Sequence, residues 1–570
     1  MDLFLIDANG PFFRDYRRKR VNWSKIPFPH LDATSDTDWL AMVEDLKRFA
    51  DGATRQGYNA VSLDDLAHLA HHPLHEDEVR ERIARTRERF TGCFDLLQSD
   101  FGLKIYLTSD VLPVTPAMES ALGGDRSAIG ETYPFLIRQT LEDFPQLSGL
   151  ILRIGESDGT DVEDPIRTRL HVRTPEEANR LLLDLLPDFE QRSKDLIFRT
   201  WTVGAHRIGD LIWHRDTLRR TLDGIDSDRL IVSMKHGESD FFRHLPLNRA
   251  FHRVKHQTLL ELQARREYEG AGEYPSFIGW ECERFAEQLA DCPNLRGISV
   301  WCQTGGWHRF RRRAFLEENK RDIWIRLNTQ VAITVFKEQR PALDAVVEVL
   351  GEENARPALE LLHEADVVIR ELLYLSEFAK QKWFFRRVRI PPLFHVYWDC
   401  LFINHGVRKL IRHFITDTAA ALDAGEAAAA RFPHMRSLAE KAELPLDDIE
   451  HMEDFMRLVL LARRYYLGPY DESLADEILA AKAAYKLRWP KEIRSRYRIK
   501  ISFKPLQVRR RTVSLAAGLL LRRQRGYRWF DRIFTLALAG VAWRTLRPRD
   551  PAKMPKFLRK SAMGVDAVLR

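Results

Sequence analysis

Cysteine is sparse and unpatterned. The five residues Cys93, Cys282, Cys292, Cys302 and Cys400 form no CxxC pair in a chain of 570, which argues against a structural zinc site and a disulfide framework and for a reducing compartment. The opening "MDLFLIDANGPFFRDY" has no basic n-region, and Asp7 breaks its apolar run too early for a signal peptide. Glycine-rich phosphate loops and Ser-His-Asp nucleophile elbows are absent as motifs, which counts against a nucleotide enzyme or an acyl hydrolase. "ESDGTDVED" (156–164) lacks the terminal bidentate Glu of a calcium loop. In "HLAHHPLHEDE" (68–78) Pro73 interrupts the helix that would gather the four histidines. A solvated, helix-initiating loop is expected there, with no metal and no cofactor. Acidic residues are scarce at the C-terminus: residues 491–570 hold 22 Lys and Arg against 4 Asp and Glu, a net of +18 within a total of +7. The first 490 residues therefore carry −11, and an acidic body with a basic tail implies two surfaces for two partners.

What is present is the composition of a globular chain, 45% hydrophobic and 30% charged. Short apolar runs alternate with amphipathic stretches such as "DWLAMVEDLKRFADGATRQG" and "TPEEANRLLLDLLPDFEQRS". Strands are predicted at 3–8, 59–64, 104–109, 149–155, 196–203, 230–236, 258–263 and 297–303. "PSFIGWECE" (275–283) competes for the seventh. Eight strand–helix repeats predict an α/β fold of the (β/α)8 TIM-barrel type over residues 1–320. Alanine-rich helical periods then predict an α-helical domain over 321–490, followed by a basic, partly apolar extension over 491–570.

Barrel active sites lie at the C-terminal strand ends. Those ends offer Asp7 and Asn9, Asp64 and Asp65, Ser109 and Asp110, Glu156 and Asp158, Arg199 and Trp201, Lys235 through Asp240, Glu261 and Glu267, and Gln303 with Trp307. Carboxylates sharing a rim with tryptophans suit a carbohydrate better than a phosphate.

The stretch "KHGESDFFRHLPLNRAFHRVKHQTLLELQARREYEG" (235–270) resembles a motif of glycoside hydrolase family 67, the α-glucuronidases. The spacing from Asp240 to Glu267 is that of the family. "RQGYNAVSLDDLAHL", "FGLKIYLTSDV", "LSGLILRIGESDG" and "LIFRTWTV" resemble further family strands in the same order. The resemblance implies an inverting glycosidase with Glu156 as general acid and Asp240 and Glu267 as the carboxylates that activate water. It also implies Arg199 and Lys235 as ligands of a sugar carboxylate, and Trp201 and Trp307 are candidate stacking platforms. An inverting pair requires a carboxyl separation of roughly 6.5–9.5 Å. The chain departs from the family at Leu152, where a uronate-binding Lys is expected. Alternation points the neighbouring Arg153 to the other strand face. Asp64 and Asp65 replace asparagines, and the family's N-terminal β-sandwich is absent. A neutral or differently charged sugar fits these changes as well as an α-linked uronic acid does.

Two readings follow. The first is a cytoplasmic glycosidase acting on an oligosaccharide. The second is a non-hydrolytic glycan-binding protein of a membrane-associated polysaccharide biosynthesis complex. In either, "TVSLAAGLLL" (512–521) and "IFTLALAGVAW" (533–543) are half the length of a spanning helix and are flanked by arginines. They are expected either as buried helices or as segments at an anionic membrane surface, at the inner membrane face. Nucleic acid is disfavoured as a partner, since no binding motif accompanies the charge.

Overall fold

The computed structural model describes residues 1–14, 26, 31, 34–123, 126–155, 165–202, 204–303, 311–385, 388–390, 396–397, 400–469, 471–503 and isolated positions up to 541. Eight strands close into a parallel barrel in sequence order. They are β1 (Leu3–Asp7), β2 (Ala60–Asp64), β3 (Lys104–Asp110), β4 (Leu147–Gly155), β5 (Asp195–Thr202), β6 (Leu230–Lys235), β7 (Gln257–Gln263) and β8 (Leu295–Trp301). The barrel closes where Leu3 to Ile6 pair with Gly297 to Val300. A Cβ at Gly297 would collide with the Leu3 carbonyl oxygen, so this approach requires glycine. The competing segment for the seventh strand becomes a helix, Gly279–Leu289, whose buried Cys282 and Phe285 lie three residues apart.

Alternation along each strand sorts the side chains. Leu5, Ala60, Ile151, Ile197, Ile231 and Leu259 fill the barrel interior as one cluster. Ile6, Val61, Leu107, Leu152, Phe198 and Val232 join the outer core beneath the helices. Two residues beyond each interior apolar position lies a polar one: Asp7, Ser62, Arg153, Arg199, Ser233 and Glu261. Period two thus carries the strand ends inward to a charged layer at the C-terminal mouth.

The surrounding helices include α1 (Asp36–Gln56), α2 (Asp77–Ser99), α3 (Arg126–Asp143), α4 (Pro175–Gln191), α5 (Arg215–Thr221), α6 (Gly279–Leu289) and α7 (Ile323–Phe336). Thr174 and Glu177 start α4 with a reciprocal capping box. Between β6 and β7 a 3-10 turn, Arg249–His252, occupies the place of a helix.

Helices follow the barrel, among them α8 (Glu352–Val368), α9 (Leu446–Leu467) and α10 (Glu472–Arg488). The apolar core continues into them without a break. This region also holds short strands that helical periodicity did not predict. One of them, β9 (Cys400–Asn404), pairs in parallel with β10 (Arg498–Ser502). The stretch just beyond residue 490 therefore packs on the body, with Arg494, Tyr497 and Ile499 buried. Arg494 bonds Asp447 at 2.6 Å and Asp448 at 2.7 Å. Asp448 also accepts from Arg312 at 2.8 Å and from Trp324 at 2.7 Å, which ties barrel, helices and the start of the extension together.

Candidate active site

Polar side chains crowd the mouth in three groups. In the first, β5 supplies Arg199 and β7 supplies Glu261. The Arg199 Nε lies 3.0 Å from both Glu261 oxygens. Between them on β6, Ser233 donates its hydroxyl to Glu261 Oε1 at 2.8 Å. The Arg199 guanidinium also sits 4.5 Å from the Trp301 ring centre. A residue expected to clamp a sugar carboxylate is thus engaged by a carboxylate of the barrel itself.

The second group is built on the loop after β6. Lys235 donates to Asp240 Oδ1 at 2.5 Å, and its ammonium lies 3.9 Å from the Trp201 ring centre and 4.5 Å from that of Phe241. Tyr268, from the loop after β7, donates to Asp240 Oδ2 at 2.7 Å, and the Phe241 N–H reaches Oδ1 at 2.9 Å. Burial pushes the Asp240 carboxyl up. The Lys235 charge and these hydrogen bonds outweigh it and hold the group below the usual carboxylate range. His236, next to Lys235, turns away and stacks on Phe285 of α6 at 5.2 Å, where burial keeps it neutral.

The third group lies across the mouth. Arg153 is buried with its Nε 2.8 Å from Asp110 Oδ1 and its Nη2 3.6 Å from Asp65 Oδ2. This corrects the strand-face expectation. Leu152 faces outward into the helix layer, so Arg153 is the β4 side chain that enters the barrel. Asp64 lies beside this group. Burial, reinforced by Asp65 and Asp110 against the pull of Arg153, raises its carboxyl well above the ordinary range. Asp7 accepts the Cys302 and Gln303 N–H groups at 2.5 and 3.0 Å, and burial still pushes it up to about 6. Gln303 accepts from Arg265 at 2.6 Å.

Glu267 is buried in the loop after β7, and its N–H donates to Gln263 Oε1 at 2.8 Å. It is not on a helix. Its neighbours bond elsewhere: Arg266 to Glu269 and to Glu281 at 2.7 Å, Arg265 to Gln303. Glu156, Asp158 and Trp307 lie outside the described residues. The mouth therefore brings together Arg199, Trp201, Lys235 and Asp240, with Glu267 one residue from the Tyr268 that bonds Asp240. Tyr268 and the pairing of Glu261 with Arg199 are absent from the sequence reading. The only signal for Tyr268 was its place beside Glu267.

The histidine segment differs from expectation. His68, His72 and His75 are buried, not solvated, and the His72 N–H bonds His75 Nδ1 at 3.3 Å. Among the described residues no group of three or more His, Cys, Asp or Glu could hold a metal ion.

No family model and no curated protein matches the chain. Solved structures do. A GH138 enzyme targeting pectin rhamnogalacturonan II aligns at a TM-score of 0.51 with 10% identity, over 85% of this chain and 61% of that one. A family 89 glycoside hydrolase from Clostridium perfringens, in complex with 2-acetamido-1,2-dideoxynojirmycin, aligns at 0.43 with 10% identity, over 84% of this chain and 53% of that one. The chain spans less than two thirds of the length of either. The first of these shares the (β/α)8 barrel fold. The likeness does not single out family 67.

Proposed function

We propose that the chain is a glycoside hydrolase acting on an oligosaccharide at the C-terminal mouth of the barrel. The observation that carries this reading is Asp240, held ionised by Lys235 and Tyr268 beside the half-buried Trp201. A general base must be unprotonated before it can take a proton from water, and a carboxylate below its usual range meets that condition at any physiological pH. Glu156 is the general acid in this reading, and Glu267 positions the water.

The resemblance points to an α-linked uronic acid, but the pairing in the mouth favours a neutral sugar ring. Lys235 is neutralised by Asp240 and Arg199 by Glu261. A sugar carboxylate would have to displace an internal one in a low-dielectric setting, which leaves a buried anion uncompensated. A neutral ring stacked near Trp201 displaces no charge.

A second reading has its own support. Both Asp240 oxygens are already engaged, Oδ1 by Lys235 and the Phe241 N–H and Oδ2 by Tyr268, which favours a glycan-binding protein without hydrolysis. Sugar release from a panel of neutral and uronic oligosaccharides separates the readings, with Glu156→Gln and Asp240→Asn run in parallel. Release from neutral substrates that falls by about 10²–10⁴ in each variant supports the hydrolase. Release from uronic substrates alone restores the α-glucuronidase reading. Binding with no release on any substrate establishes the second one.

A further inference from the structure

The mouth leaves the basic extension unexplained. Beyond the packed strand β10, residues 504–570 hold 17 Lys and Arg against 3 Asp and Glu, so residues 1–503 carry −7 of the total +7. Charge alone does not choose a partner, since arginines serve lipid phosphate, nucleic acid and acidic protein alike.

The described positions of this extension add a second observation. Ile533, Leu536, Ala537, Gly540 and Val541 are helical and all are exposed, Ile533 at 62%, Leu536 at 54% and Val541 at 64%. They belong to the run "IFTLALAGVAW" (533–543), apolar but for Thr535, and at i, i+3, i+4, i+7 and i+8 they share one side of a helix. An apolar stripe two turns long therefore faces solvent, in a protein that buries the apolar faces of α1, α4 and α9. In sequence the stripe is bracketed by Arg525, Arg528 and Arg532 before it and by Arg544, Arg547 and Arg549 after it.

We infer that this segment docks the protein on the surface of an anionic lipid bilayer. The stripe enters the boundary between head groups and acyl chains, and the flanking arginines meet the head-group charge. A nucleic acid would satisfy the arginines and leave the stripe in water. The run "IFTLALAGVAW" (533–543) is about half the length that a spanning helix needs. A short exposed apolar run with arginines at both ends is suited to lie along the surface of a bilayer and not across it. It anchors a body whose own charge is negative, so the barrel itself is repelled from the same surface and attachment is confined to the extension.

The test uses the full chain and vesicles of phosphatidylcholine with and without phosphatidylglycerol, read by flotation. Binding is expected to the phosphatidylglycerol vesicles only, and to weaken as salt rises. The variant Ile533→Glu/Leu536→Glu is expected to lose roughly tenfold or more of that binding, while its thermal unfolding stays unchanged because both positions are exposed. Three outcomes overturn the inference: no flotation with either vesicle, equal flotation of wild type and variant, or binding of a duplex DNA that outcompetes the vesicles. Because the readout is binding to lipid, its failure and the failure of the glycosidase reading are separate results.

Discussion

Tyr268 donates its hydroxyl to Asp240 at 2.7 Å, joining the loop after β7 to the loop after β6 at the barrel mouth. A hydrogen bond to a charged group contributes about 1.5–3 kcal/mol. Tyr268→Phe is expected to lower kcat/KM roughly tenfold or more and to move the acidic limb of the pH profile upward, because Asp240 loses one of the donors that hold it low. A pH profile unchanged from wild type would remove Asp240 from the reaction.

Lys235 is the larger influence on the same carboxylate. Removing one partner of a buried pair costs about 3–5 kcal/mol, since the remaining charge is left uncompensated. Lys235→Met is expected to destabilise the protein by an amount in that range, measured by urea unfolding. The sign with pH is fixed by the depressed Asp240 value. The native pair contributes fully above the ordinary carboxylate pKa and is lost as pH falls through the native one. Acidification should therefore narrow the gap between wild type and variant.

Arg243 tests the attachment of the helices to the barrel. It bonds Glu269 at 2.8 and 2.7 Å and Asp366 of α8 at 2.5 Å. Glu269 also accepts from Ser276 at 2.6 Å and Tyr374 at 2.9 Å. Burial pushes Glu269 up, yet Arg243 and Arg266 hold it well below the usual range. Arg243→Met should cost about 3–5 kcal/mol and expose the segment near residue 370 to limited proteolysis before global unfolding.

His75, in the loop between β2 and α2, supplies an acid-sensitive contribution. Burial first, then the neighbouring His72 and His71, lower its pKa from 6.5 to about 4. The folded state refuses a proton that the unfolded chain takes, so stability is complete above pH 6.5 and falls as pH drops toward 4, by on the order of 3 kcal/mol. His75→Gln should flatten the stability profile across that window, read as denaturation midpoints at successive pH values.

The barrel was legible because its signal is local. Apolar runs such as "LIVSMKH" and "GISVWCQ" declare strands residue by residue, and the structure ends each within two positions of where the run ends. Charged partners carry no such signal. Arg199 and Glu261 stand 62 positions apart, and nothing in either neighbourhood announces the other. The face of Arg153 is a related case: alternation separates Leu152 from Arg153 but leaves open which of the two enters the barrel. Burial of Leu152 under the helices decides it. Strand β10 falls in the span expected as an extension, because its basic residues alternate with the buried Ile499 that, with Tyr497 just before it, seats the strand.

Glu267, Tyr268 and Glu269 are consecutive, and they divide their allegiance. Tyr268 grips Asp240 at the mouth, while Glu269 is locked by Arg243 and Tyr374 beneath the helices. The segment is a short lever whose fulcrum lies between the barrel and the chain that follows it. A change at Asp366 or Tyr374 would be transmitted from Glu269 through one peptide bond to Tyr268, and by its hydroxyl to Asp240 at the mouth. The aim of Tyr268 at the mouth therefore depends on residues packed among the helices, and grafting the barrel without them would hand over the carboxylates without the means of aiming them.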